Sequence, residues 1–103
     1  MQEYLLKKAA EDDLEEVWLY SYREWGIEQA EKYVTELHHR FQWLAENPKL
    51  GTNRDDLMEG VLTYPQGEHT IIYRVKGGKI EIGRIFGPFI NIEKRFSIKN
   101  PFS

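Results

Sequence analysis

The chain has 103 residues, of which 41% are hydrophobic and 30% charged, and its net charge is −3. This length supports one core, so a single domain over residues 1–103 is expected, and a mean hydropathy of −0.62 fits a soluble folded protein. No apolar run nears the roughly 20 residues that span a bilayer, and the N-terminus, MQEYLLKKAAEDD, has no signal-peptide core. The absence of cysteine excludes a disulfide framework, thiol catalysis and a cysteine-based zinc site, and it accords with a reducing cytoplasm.

EYLLKKA is a short apolar run that predicts a strand of about five residues. In AAEDDLEEVWLYSYREWG, residues Ala10, Leu14, Val17, Trp18, Ser21 and Trp25 recur at helical spacing on one face, with the acids mostly opposite. Glu11, Asp12 and Asp13 suit the positive end of a helix dipole, and Gly26 ends the helix. IEQAEKYVTELHHRFQWLAENP repeats the pattern through Ile27, Ala30, Tyr33, Val34, Leu37, Phe41 and Leu44, and Pro48 stops it. Two such helices separated by Gly26 alone predict an antiparallel hairpin. Leu19 and Trp43 miss both stripes, which makes them either partly covered side chains or parts of a partner surface.

KLGTNRDDLMEG is rich in Gly, Asn and Asp and reads as a loop. From Val61 the period changes. VLTYPQG, HTIIYRVKGG and KIEIGRIFG are short, β-branched and bounded by glycine, the pattern of an antiparallel meander, and Gly77-Gly78 signals a tight hairpin. Strand alternation puts His69, Ile71, Tyr73 and Val75 on one face, and Ile80, Ile82, Arg84 and Phe86 on one face of the next strand. The tail, residues 88–103, allows one short helix around Ile92 and Phe96 or a loose extension. The order β-α-α-β-β-β therefore predicts an α+β fold. A helix hairpin covers one face of a small, mainly antiparallel sheet, and a short C-terminal extension follows.

Charge is unevenly distributed. Residues 1–60 hold fourteen acidic and seven basic side chains, whereas residues 61–103 hold three acidic and seven basic ones. Either two solvated surfaces of opposite sign result, or the second half presents a basic working face for an acidic protein or nucleic acid.

Over roughly residues 3–86 the chain resembles the ParE toxins of the RelE/ParE toxin–antitoxin superfamily. The matching words are AAEDDLEEVWLYSYREWGIEQAEKYV, LAENPKLGTNRDDLMEGV, GEHTIIYRV and IEIGRIFG. The chain departs from the family pattern after Ile85, where FGPFINIEKRF replaces a leucine, a histidine and an RMD-like turn, so no role of the family's tail is carried over. The resemblance implies the toxin of a type II pair that inhibits DNA gyrase, blocks growth and is neutralised by a cognate ParD-like antitoxin. It also implies a toxin–antitoxin hetero-oligomer that meets DNA only through the antitoxin or gyrase. Two other outcomes follow from the same scaffold: a RelE-like ribosome-dependent mRNA endoribonuclease, or a non-toxic relative that binds its antitoxin.

Metal-free RNA cleavage needs a base, an acid and cations around the phosphate. His38 and His39 sit in mid-helix, and His69 flanks a core strand on the face opposite Arg74. The loop after the second helix is acidic through Asp55, Asp56 and Glu59, which repels RNA. No catalytic residue, cofactor or metal is therefore expected. The expected target-binding residues are Arg84, Lys94, Arg95 and Phe96, since cations beside an aromatic anchor suit an acidic or DNA-bound target. An antitoxin that folds onto the toxin needs apolar and basic contacts, for which Leu19, Trp43, Arg74 and Arg84 are expected.

Overall fold

A computed structural model describes residues 3–102. Strand β1 (Tyr4–Leu6) leads into helices α1 (Lys8–Trp25) and α2 (Ile27–Glu46), followed by a 3-10 turn at Pro48–Leu50. Four strands come next: β2 (Thr52–Asn53), β3 (Val61–Gln66), β4 (His69–Lys76) and β5 (Lys79–Phe86). Helix α3 (Ile92–Ile98) lies in the tail, so the short helix and not the loose extension is present there. The sheet order is β1-β5-β4-β3-β2, with β1 parallel to β5 and every other pair antiparallel. The α+β architecture expected from the hydrophobic periods is thus the one formed. Strand β2 was not legible, because two polar residues pairing with Thr63 and Leu62 carry no alternating pattern.

Gly26 makes the helix hairpin possible. At φ 92° its N–H closes α1 on the Tyr22 carbonyl, while its own carbonyl accepts from Ala30 to open α2. The hairpin buries Ala10, Leu14, Val17 and Ser21 from α1, and Ala30, Leu37, Phe41, Leu44 and Ala45 from α2. Two expected stripe residues depart from this: Trp25 is 57% exposed and Ile27 is 53% exposed. Helical phase places them correctly, but a stripe residue is buried only where another element covers it, and none does so at the Gly26 turn. Trp25 packs instead edge-on against Tyr20, and Trp18 stacks on Tyr22.

Strict alternation also fails in β5. Tyr73 pairs with Ile82 and Ile72 pairs with Arg84, so Gly83 is an extra residue, a β-bulge. The slip turns Ile85 toward the helices beside Ile80 and Ile82, and sends Arg84 and Phe86 to the opposite face. The four residues read as sharing one face therefore divide between two.

Both faces of the sheet are covered. On the helix side Ile71, Tyr73, Ile80, Ile82 and Ile85 meet Leu14, Val17, Leu37 and Phe41. On the other side Val61, Ile72, Phe86 and Phe102 form a smaller cluster, with Ile90, Ile92 and Phe96 packed on it. Asn91 caps α3 by accepting from the Lys94 N–H at 3.0 Å. Phe102 lies over Gly83, where a Cβ would come within 2.7 Å of its ring.

The loop after α2 is pinned from the core. The fully buried Tyr73 hydroxyl donates to the Pro48 carbonyl at 2.9 Å and accepts from the Gly51 N–H at 3.0 Å. A Cβ at Gly51 would lie 2.2 Å from that oxygen, so glycine is required by contact and not by backbone angle. Gly51→Ala is expected to destabilise the fold by about 1–3 kcal/mol, the range for overpacking. Thermal melts of a double-mutant cycle check the cause: Tyr73→Phe should cost less in the Gly51→Ala background than in the parent, because it removes the clashing oxygen.

At the edge of the core the Tyr4 hydroxyl and His38 Nδ1 share a 2.8 Å hydrogen bond. Burial, with His39 beside it, lowers the His38 pKa, and burial lowers that of His69 as well. The unfolded chain therefore takes up protons that the folded one rejects. Stability should be full above the ordinary imidazole value of about 6.5 and fall as pH drops through it. Melting temperatures measured from about pH 7 to about pH 5 should decline more steeply for the parent than for His38→Gln.

Candidate functional site

Two clefts open side by side where α1 passes the β3–β4 turn, and Tyr20, Glu68 and His69 line both. The smaller, about 440 Å³, lies among α1, α2 and that turn. The larger, about 650 Å³, runs along the end of β5 to the start of the tail and includes Glu16, Phe86, Phe89 and Arg95. Phe89 is 97% exposed at its rim.

The wall between the clefts is held by a hydrogen-bond chain. Tyr33 donates its hydroxyl proton to the Gln66 carbonyl at 3.0 Å, and the same oxygen lies 2.6 Å from His69 Nδ1. Burial lowers the His69 pKa against the opposing pull of Glu68 and Asp13, so the ring is neutral at physiological pH. Gly67, at φ 59°, lets the turn pass under Tyr33, whose hydroxyl would sit 2.6 Å from a Cβ there.

Arg84 is bound within the fold. Its Nε and Nη2 donate to Asp13 Oδ2 and Oδ1 at 2.7 and 2.9 Å, and Asp13 Oδ2 also accepts from the Ile85 N–H at 2.8 Å. This paired geometry, largely shielded from water, keeps the Arg84 charge fixed and raises its pKa through the Asp13 hydrogen bond. Asp13 thereby satisfies the edge of β5 beyond the point where β1 ends. Arg74 is engaged too, donating to Glu81 at 2.9 Å and lying 4.6 Å over the Phe102 ring.

The other sequence-predicted residues are spread over the surface. Trp43 packs against Tyr64 and carries the Arg40 guanidinium 4.6 Å above its ring, so the tryptophan is half-covered by strand and arginine. Leu19 is half-buried on α1 and lines neither cleft. Lys94 and Arg95 are exposed on α3, and Phe96 turns inward to the sheet. Arg84 and Arg95 meet over the Phe86 ring at 4.8 and 5.6 Å. Among the described residues, no group of three or more His, Asp or Glu side chains is placed to hold a metal ion.

The sequence pattern marks Ser21 only as a stripe residue and Asp13 only as a helix-dipole acid, and it does not single out Phe89 or Phe102. Asp13 reads as one of several helix-dipole acids, and its partner is 71 residues away. Nothing local could have singled it out.

Comparison with known proteins agrees with this geometry. Residues 4–87 match the family described as "ParE toxin of type II toxin-antitoxin system, parDE". Toxin ParE1 of Mycobacterium tuberculosis is 38% identical over 92 residues, covering 88% of this chain and 94% of the relative. Toxin ParE1 of Caulobacter vibrioides is 36% identical over 91 residues with the same coverage. A solved structure titled "Chromosomal ParDE TA system from P. aeruginosa" superposes with a TM-score of 0.72 at 26% identity, covering 84% of this chain and 96% of that one. The helix hairpin, the mixed sheet and the family match across 4–87 together place this chain in the ParE toxin family of type II toxin–antitoxin systems.

Proposed function

We propose that this protein inhibits DNA gyrase by binding it, without bond cleavage of its own, and that a cognate ParD-like antitoxin neutralises it in a hetero-oligomer. The observation that carries the reading is the ParE family match over residues 4–87. The ParDE title of the similar solved structure supports an antitoxin partner. The non-enzymatic part is supported by the commitments of the strand residues. A ribonuclease of this scaffold needs free cations beside a proton carrier, whereas the strand arginines are engaged, Arg84 by Asp13 and Arg74 by Glu81.

Target contact is best assigned to the exposed cations of α3. Lys94 and Arg95 project from the helix that Ile92 and Phe96 anchor to the sheet. Arg84 contributes mainly by shaping the floor under Arg95, and Phe96 by holding the helix. For the antitoxin, Leu19 and the half-covered Trp43 supply apolar contact, and Arg74 on the central strand and Arg84 near the uncovered end of β5 supply partly shielded charge.

With the purified protein, inhibition of gyrase supercoiling and undisturbed in vitro translation are the expected pair of results. Arrested translation with supercoiling intact transfers the assignment to the ribonuclease reading, and no effect in either assay transfers it to the non-toxic one. The double change Lys94→Glu and Arg95→Glu leaves Ile92 and Phe96 in place. Its expected effect is a loss of gyrase inhibition by about tenfold or more, as for two charged contacts worth about 1.4 kcal/mol together. Antitoxin binding and melting temperature should stay within error of the parent. Full inhibition by the reversed protein would show that the contact lies elsewhere on the surface.

A further inference from the structure

The smaller cleft contains a feature that the fold itself does not use. Ser21 is 1% exposed, its Oγ has no hydrogen-bond partner among the described residues, and it lines this cleft. A hydroxyl buried without a partner loses its hydrogen bonds to water and gains nothing in exchange. An alanine would fill the same place on the α1 stripe without that loss.

The surroundings indicate what kind of group would satisfy it. Tyr20 and Trp25 form an edge-to-face aromatic corner, with ring centroids 5.8 Å apart, beside the cleft. Glu68 stands exposed at the rim with no ion pair among the described residues, none of which puts a lysine or arginine in the cleft lining. His69 adds no positive charge, because burial keeps its imidazole neutral. Aromatic faces, an unpaired carboxylate and an orphaned hydroxyl acceptor together suit a planar cation. Arginine meets this description better than lysine, since a guanidinium stacks on rings and donates in several in-plane directions. A volume of about 440 Å³ admits a whole arginine side chain.

We propose that this cleft is a receptor for an arginine side chain presented by a protein partner, with the guanidinium stacked at Tyr20 and Trp25, donating to Ser21 Oγ and paired with Glu68. The protein source follows from the rim. Tyr22, Trp25 and Ile27 are exposed around the Gly26 turn, an apolar margin that residues flanking the arginine would cover. The acidic balance of residues 1–60 favours the approach of such a segment. The proposal stands on the cleft alone and does not depend on gyrase being the target.

The test is a two-dimensional amide NMR titration of the full chain with three probes: N-acetyl-arginine amide, its neutral citrulline isostere, and a peptide with arginine between two leucines. The arginine probes should produce saturable shifts centred on Ser21, Trp25 (its indole N–H included) and residues 67–69. The peptide should bind more tightly than the amide, and citrulline at least about tenfold more weakly than arginine, as a lost charge-assisted pair implies. Glu68→Gln should weaken arginine binding by a similar factor. Ser21→Ala should weaken it while leaving the melting temperature equal or higher. Equal binding of citrulline and arginine, or no shift at the cleft, overturns the proposal. Equal binding of amide and peptide overturns the protein source in favour of a small cation. A lower melting temperature for Ser21→Ala shows that the hydroxyl already has an internal partner, and also overturns it.

Discussion

Between Ile82 and Arg84 the fifth strand carries one residue more than its neighbour, Gly83, and three other features follow from it. The slip rotates Ile85 into the helix-side core and Arg84 out of it. It presents the Ile85 N–H and the Arg84 guanidinium to the same carboxylate, so that Asp13 ties α1 to the sheet where β1 has already ended. The missing side chain at Gly83 leaves the hollow that Phe102 fills, closing the second face. Any side chain at this position would oppose the last of these directly, and through it the seating of the tail. The bulge therefore decides both how the helices sit and how the C-terminus folds back.

Tyrosine hydroxyls carry out a parallel task elsewhere. Tyr73 reaches through the core to two backbone groups of the loop after α2, Tyr33 joins α2 to the β3–β4 turn, and Tyr4 joins β1 to α2 through His38. Each ring is an apolar body with one polar tip, so it can pack in a core and still orient a distant backbone segment. The loop is further held from its own side by Asp55, which accepts from the Gly60 N–H, and by Arg54, which bridges Asp56 and Glu93. Through that bridge the acidic loop is joined to α3. Its carboxylates serve the architecture, and the acidity that reads as a repulsive surface is partly consumed by pairing.

The same distinction between paired and free charge shapes the functional surface. A count of residues 61–103 finds a basic half, yet its two strand arginines are each matched to a carboxylate, Arg74 by Glu81 on the neighbouring strand and Arg84 by Asp13 from the acidic half. What reaches outward on this side is chiefly α3, an appendage beyond the segment that matches the family. The scaffold thus spends its strand charge on holding itself together, while the cations of α3 stay exposed.

The sequence by itself determined the α+β class, the hairpin at Gly26, the Gly77-Gly78 turn, at which both residues take positive φ, and the family. These are local properties, set by periods of apolar residues and by glycines whose backbone angles few other residues tolerate. Only the tertiary structure decided which periodic positions were covered, leaving Trp25 and Ile27 exposed although they lie on their stripes. It alone placed the bulge, since a strand's extra residue is defined by its partner's register and not by its own pattern. It alone joined Asp13 to Arg84, seated Phe102 on Gly83 and buried the Ser21 hydroxyl beside an aromatic cleft with no hydrogen-bond partner among the described residues. Such contacts link residues far apart in the chain, and a hydrogen bond or a packed ring depends on distance in space, which periodicity does not encode.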